Sequence, residues 1–193
     1  MRMQRIVIVG SNGSGKSTLA RELGTKLNVP VIHLDAHYWH PGWVGTPETV
    51  WREKVAELTR GDQWILDGNY RDTLNMRLQA ADTVIFLDLP RWVCAWRAVK
   101  RRIQYHNQPR PDMAPGCQES LFKPDFPEFL LRIWDYPNRA RPDIENRLFE
   151  LDPRKRIIHI RTRSAVRKFT ADPIMYASRL QAVPLMGNMQ QFP

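Results

Sequence analysis

Residues 10 to 17, Gly10-Ser11-Asn12-Gly13-Ser14-Gly15-Lys16-Ser17, carry the most specific chemistry in this 193-residue sequence. They satisfy G-x-x-x-x-G-K-[ST] and stand between a short apolar run and an amphipathic, helix-like stretch, which is the context the pattern demands. Glycines at these positions let successive backbone N–H groups curl into a nest around a phosphate, and the N-terminus of the following helix adds partial positive charge. Lys16 then reaches the β- and γ-phosphates of a nucleotide, and the Ser17 hydroxyl is placed to ligate Mg²⁺. Gly10, Ser11, Asn12, Gly13, Ser14, Gly15 and Thr18 complete the cofactor-binding set. A glycine-rich turn of purely structural purpose is the competing reading, and the Lys-Ser pair with both flanks correct argues against it.

Five apolar runs must position this loop: Arg5 to Val9, Val29 to Leu34, Trp64 to Leu66, Thr83 to Leu87 and Arg156 to Ile160. They are continuous rather than alternating, as strands covered on both faces are, and helix-like stretches separate them. That order predicts an α/β domain whose five-stranded parallel sheet is flanked by helices, with ligands at the carboxyl ends of the strands. The glycines after Val9, Asp35 after Leu34, Asp67-Gly68 after Leu66 and Asp88 after Leu87 all fall at such ends. A single domain over 1–170 is expected, with a Pro-, Gly- and aromatic-containing insertion at about 36–60 and a second, Pro-rich one at about 107–137. The stretch 171–193 reads as a loosely attached tail with a short helix around Met175 to Leu180. On a helix from Arg91 to Tyr105, Trp92, Trp96, Val99 and Ile103 recur at spacings of 4, 3 and 4 and are predicted to face the core, with Arg97 and Arg101 one turn apart on another face.

The chain carries 29 Lys plus Arg against 20 Asp plus Glu, a formal charge of +9. The excess is local. Residues 89–111 hold six basic residues and no acid, residues 153–171 hold seven and no acid, and the remainder is slightly acidic. The partner of such segments is anionic: nucleotide phosphate, nucleic acid or an acidic surface. No run approaches the roughly 18 apolar residues that cross a bilayer, and the first residues pass straight into a strand, so a cytoplasmic protein without a membrane partner is expected. Cys94 and Cys117 have no metal or redox spacing and read as reduced thiols. His33, His37 and His40 have near-helical spacing, but Pro41 and the strand around His33 disfavour a zinc site.

With the loop, the sequence resembles the nucleoside monophosphate kinase group of P-loop proteins, adenylate kinase above all, and within it the small proteins labelled DNA topology modulation proteins. Leu66-Asp67-Gly68-Asn69-Tyr70-Arg71 is similar to the D-G-x-x-R of adenylate kinases, and Asp88-Leu89-Pro90 followed by Arg97-Ala98-Val99-Lys100-Arg101-Arg102 to their D-x-P strand end and R-x-x-x-R-R helix. The resemblance runs from Arg5 to about Lys168. It implies the P-loop NTPase three-layer fold with acceptor-binding and lid insertions, and use of ATP and Mg²⁺. Asp67 would help hold the metal with Ser17, Arg71 would grip an acceptor phosphate, Arg97 would stack on adenine, and Arg101 would contact the transferring phosphates. An arginine of Asn138 to Arg147, namely Arg139, Arg141 or Arg147, would close over the phosphates. Asp35 takes the place of an Asp that positions or deprotonates the acceptor or holds a metal-bound water; helix capping is its plainer role. Tyr38 stands where the family has a second acceptor-phosphate arginine, so the acceptor is either a monophosphate held by Arg71 or an unphosphorylated molecule held by His37, Trp39, His40 and Trp43.

Two functions follow. The favoured one is a phosphotransferase taking ATP and a small-molecule acceptor, in which positioning and charge neutralisation by Lys16, Arg97 and Arg101 do the chemistry. The alternative is an ATP-binding regulator of nucleic acid, served by basic segments interleaved with Trp92, Trp96 and Tyr105. The core-facing stripe predicted for those tryptophans counts against it.

Overall fold

The computed structural model describes residues 3–118 and 124–181. Strand β1 is Arg5–Gly10, helix α1 Lys16–Leu27, β2 Val31–His33, α2 Leu34–Tyr38, β3 Trp39–His40, β4 Val44–Gly45, α3 Glu48–Leu58 and β5 Trp64–Asp67. Then come α4 Arg71–Ala80, β6 Thr83–Leu87, α5 Arg91–Gln104, α6 Phe126–Trp134, α7 Tyr136–Phe149, β7 Arg156–Ile160, α8 Arg163–Ala171 and α9 Pro173–Gln181. The main sheet is parallel throughout in the order β2-β5-β1-β6-β7.

The continuous apolar runs are strands covered on both faces. Successive side chains of a strand point to opposite sides, so Val7 and Val9 join the core beneath α3, α4 and α7, whereas Ile6 and Ile8 join the one beneath α1, α8 and α9. Every residue of β5 and β6 is buried. Each large apolar side chain removed from water contributes about 2 kcal/mol, which fixes register, because a one-residue slip would exchange the two cores.

The second strand is shorter than the run from Val29 to Leu34. Its last residues turn into α2, which places Asp35 at the start of a helix rather than on a strand. Residues 39–45 form a small antiparallel hairpin, with His40 facing Val44 and Trp39 facing Gly45. Helix α9 packs on the sheet: Ala177 is buried in the second core and Tyr176 meets Phe169 edge-on at 5.5 Å. Residues 182–193, the rest of the expected tail, and 119–123 of the expected lid lie outside the described residues.

Helix α5 corrects the sequence reading. Trp92, Trp96 and Ile103 are 64%, 66% and 58% exposed, and the buried face is Val93, Cys94, Ala98 and Arg102. Periodicity identifies a stripe but not the neighbour it faces. The inner face here meets the backbone of the glycine loop: a Cβ built on Gly13 would lie 2.1 Å from the Cys94 carbonyl oxygen. The small Cys94 and Ala98 face that approach, and Trp92, Trp96 and Ile103 turn outward.

Arg77 of α4, fully buried, holds the turn after β5. It donates to the carbonyls of Gly68 at 2.8 Å and Tyr70 at 2.7 Å. Burial pushes its guanidinium below the usual range, opposed by Tyr70 and Asp67. Replacing it leaves two carbonyls without their donor, so Arg77→Met is predicted to cost about 3 kcal/mol. Urea denaturation measures this; a loss under about 1 kcal/mol contradicts the clamp.

Candidate active site

The loop from Gly10 to Gly15 leaves the carboxyl end of β1 with three positive φ values, 147° at Gly10, 78° at Gly13 and 100° at Gly15. Gly10 also packs against β6, where an added Cβ would meet the Leu87 carbonyl oxygen at 2.3 Å. Gly15 is the N-cap of α1 and provides no side-chain cap. The N–H groups of the first helical turn are therefore left for an anion. Lys16 is buried, and its Nζ donates to the carbonyls of Gly10 and Ser11, each at 3.0 Å. Burial lowers its pKa, opposed by the charges of Asp67 and Asp35.

Asn12 to Thr18 line a cleft of about 750 Å³ together with Asp35, Asp67, Arg97, Arg101, Arg110, Asp112 and Arg167. Gly10 and Ser11 do not line it. Arg97 Nη1 donates to the Ser14 carbonyl at 3.0 Å, and burial and the charge of Arg163 lower its pKa. Asp67 is buried and accepts from His33 Nδ1 at 2.6 Å. Asn69 Oδ1 accepts from Gly10 N at 3.3 Å, tying the turn after β5 to the glycine loop. Asp35 accepts from the Tyr70 hydroxyl at 2.7 Å. Burial raises its pKa, opposed by that hydrogen bond and by Lys16.

A second cavity of about 520 Å³ lies between the 39–45 hairpin and α6. Aromatic rings of Trp39, Trp43, Tyr70, Phe126 and Phe129 line it with Arg102 and Arg132. Arg102 sits 4.1 Å over the Phe126 ring and 4.0 Å from Asp125. Among the described residues, the hairpin is hydrogen-bonded to the segment after α5: Gly42 N donates to Gly116 O at 3.2 Å, Trp43 Nε1 to Gln118 O at 3.1 Å, and Cys117 Sγ to His40 O at 3.1 Å. Asn12, Asp35, Asn69, Arg101 and Arg110 border both cavities, so the two meet beside the glycine loop.

Several expectations change. Arg71 borders neither cavity; its side chain is 63% exposed and pairs with Asp143 at 3.3 Å. Its place as first residue of α4 turns it away from the cleft. Arg139, Arg141 and Arg147 also lie away, paired with Asp135, with Glu145 and Asp88, and with Asp143. Helix α7 buries Tyr136, Ile144 and Leu148 in the first core, which holds it against the sheet. Arg110 lines the cleft instead. Sequence reasoning missed Arg110, Asp112 and the Tyr70 contact with Asp35; the run of prolines around Arg110 carries no periodic signal. His33, His37 and His40 do not converge, since His33 bonds Asp67 and His40 bonds Thr46. His159, for which the sequence shows no partner, meets Asp88 at 3.1 Å and stacks on Phe86. The second basic segment divides: Arg167 lines the cleft, whereas Lys155 donates to the carbonyls of Gln79 and Ala81.

The donor set suits a hard divalent cation. Ser17, Asp35 and Asp67 offer oxygen and no sulfur, as Mg²⁺ prefers. The glycine loop, at the start of a helix without a side-chain cap and with Lys16 beside it, fits a nucleotide phosphate. Gly42 has the same φ of 78° as Gly13, but nothing lies within 4 Å of its Cβ position. Gly42→Ala is therefore predicted to cost about 1 kcal/mol for backbone strain alone. Gly13→Ala should cost at least about 2 kcal/mol more; equal losses in denaturation would contradict the close contact.

No protein-family model matches the chain, and no curated protein matches it at the sequence level. Solved structures do match. A shikimate kinase from Acinetobacter baumannii in complex with shikimate is 17% identical, over 94% of this chain and 96% of that one, with a TM-score of 0.61. A gluconokinase from Sinorhizobium meliloti 1021 is 18% identical over 93% and 95%, and a sugar kinase from Janibacter sp. HTCC2649 is 18% identical over 93% and 97%, each with a TM-score of 0.51. At these identities the likeness is one of fold, and the chain has the P-loop NTPase architecture: a five-stranded parallel sheet flanked by helices.

Proposed function

We propose that this protein is an ATP-dependent phosphotransferase that moves the γ-phosphate of Mg-ATP to a nucleoside monophosphate or a similar small acceptor. The observation that carries the reading is the meeting of two cavities at Asp35, Arg101 and Arg110, one floored by the phosphate loop and the other walled by aromatic rings and arginines. A nucleotide in the first cleft places its terminal phosphate at the opening to the second.

Lys16, Arg97, Arg101 and Arg110 supply positive charge around the transferring group. Bound Mg²⁺, held by Ser17 and Asp67, would neutralise phosphate charge. Asp35 borders both cavities, where it takes the proton of an acceptor hydroxyl as that oxygen attacks phosphorus; an acceptor phosphate attacks through an ionised oxygen and needs no base, and in either case the bond to the bridging oxygen breaks and ADP leaves. The segment after α5 acts as the lid and the hairpin as the acceptor-binding unit, and their mutual hydrogen bonds exclude water from the junction. With Arg71 turned outward, Arg101, Arg102, Arg110 and Arg132 are the arginines that line the acceptor cavity, and Trp39 and Trp43 line it with flat rings. The adenylate-kinase-like motifs support a nucleotide acceptor, and the kinase folds named above support transfer to a small molecule.

Lys16→Ala is predicted to lower kcat by at least about 10³-fold without unfolding the chain; retained activity would remove the reading. With a hydroxyl acceptor, Asp35 must be ionised to accept its proton. Burial raises its pKa, so kcat/KM should fall as pH falls through a value above the ordinary carboxylate range of about 4. Asp35→Asn should abolish that limb with a loss of at least about 10²-fold.

A second reading, nucleic-acid binding in keeping with the topology-modulation resemblance, is favoured by one observation: Trp92 and Trp96 stand exposed on an acid-free helix. If it holds, affinity for single-stranded DNA falls steeply with salt, by about 0.7 log units per log unit of salt for each phosphate contacted, and Trp96→Ala weakens it. A flat salt dependence discards it.

A further inference from the structure

Helix α1 covers one face of β2 and β5, and that face is apolar until the carboxyl ends of the two strands. Val31 and Ile65 pack in the core beneath α1, whereas Ile32 and Leu66 pack in the opposite one. Val31 stands in register with Ile65, and His33 with Asp67. Strand alternation therefore puts His33 and Asp67 on the α1 face. An apolar stripe thus ends in an imidazole beside a carboxylate. Their side chains are 14% and 5% exposed, and His33 Nδ1 lies 2.6 Å from Asp67 Oδ1.

A carboxylate only accepts hydrogen bonds, so Nδ1 carries the hydrogen in this pair. The bond is short and charge-assisted. Among the described residues, the Asp67 carboxylate has no other hydrogen-bond partner. The final torsion of an aspartate is broad, so His33 decides which oxygen is held back. Oδ1 is held to β2, and Oδ2 is left to the cleft that Asp67 lines together with Ser17. Hydrogen bonds that orient a metal-binding carboxylate in this way typically change metal affinity by about 10–100-fold. Packing alone would be met by an apolar residue, as it is by Val31 two positions earlier.

We infer that His33 is a positioning residue of the cation site: its Nδ1 hydrogen fixes Asp67 so that one carboxylate oxygen stays available to a nucleotide-bound divalent cation. The inference rests on the phosphotransferase reading and adds to it a residue outside the cleft wall. His33 lines neither cavity and acts through Asp67 alone. It also gives two of the clustered histidines separate tasks, since His40 braces the hairpin through Thr46 while His33 serves the carboxylate.

Binding of a non-hydrolysable ATP analogue, the β,γ-imido compound, is measured by calorimetry with Mg²⁺ and with a chelator in its place, on the wild-type chain, His33→Phe and His33→Asn. Phenylalanine keeps a ring and removes the donor, whereas asparagine keeps an N–H at the same distance along the side chain. Mg²⁺ should tighten wild-type binding. His33→Phe should lose about tenfold of that tightening, with metal-free binding unchanged, and His33→Asn should recover most of the loss. His33→Ala takes the place of the phenylalanine variant if that chain does not fold. Full tightening in His33→Phe, weakening by the same factor with and without Mg²⁺, or a loss that asparagine does not recover overturns the inference and leaves the phosphotransferase reading standing. A wild-type chain that binds no analogue under either condition overturns both together.

Discussion

The backbone of the glycine loop lies closer to its neighbours than any side chain would permit. Gly10 meets the Leu87 carbonyl of β6, and Gly13 meets the Cys94 carbonyl in the first turn of α5. Much else follows from that double contact. It seats the loop at the carboxyl end of the central strand, with the first turn of α1 uncapped and open to an anion. It requires Cys94 and Ala98 on the inner face of α5, and so pushes Trp92 and Trp96 into solvent. It also brings Arg97 and Arg101 of the same helix onto the rim of the cleft. A strand-to-helix turn without side chains thus sets both the phosphate nest and the place of its counter-charges.

Around this nest the charges are held by burial rather than by surface pairing. Lys16 is lowered and Asp35 raised by desolvation, each partly offset by the other. The turn after β5 is equally constrained: the Arg77 clamp on its carbonyls, the Asn69 contact to Gly10 and the His33 bond to Asp67 leave it little freedom. The hairpin and the segment after α5 meet instead through a backbone hydrogen bond from Gly42 to Gly116 and hydrogen bonds from the Trp43 and Cys117 side chains.

Much of this was legible in the residues. Continuous apolar runs marked the strands because strands buried on both faces cannot alternate, and the loop motif marked its own strand and helix. Asp35, Asp67, Arg97 and Arg101 all reach the cleft. The rest depended on facts a linear pattern does not hold. The α5 stripe was visible, but its direction was set by the neighbouring backbone at Gly13. Arg71 has the spacing of an acceptor-binding arginine, yet the start of α4 turns it toward Asp143. Arg110 and Asp112 arise from a proline-rich stretch whose path is fixed by contacts with a hairpin some seventy residues earlier.

The central claim is that the two cavities exchange a phosphoryl group at their shared border. It is tested most directly by incubating the chain with Mg²⁺ and γ-³²P-ATP across a panel of nucleoside monophosphates, nucleosides, sugars and small hydroxy acids, and following where the label goes. The proposed function predicts label on an anionic acceptor with a flat ring, formed faster than inorganic phosphate. Release of label only as inorganic phosphate, or no release with any acceptor, would contradict it.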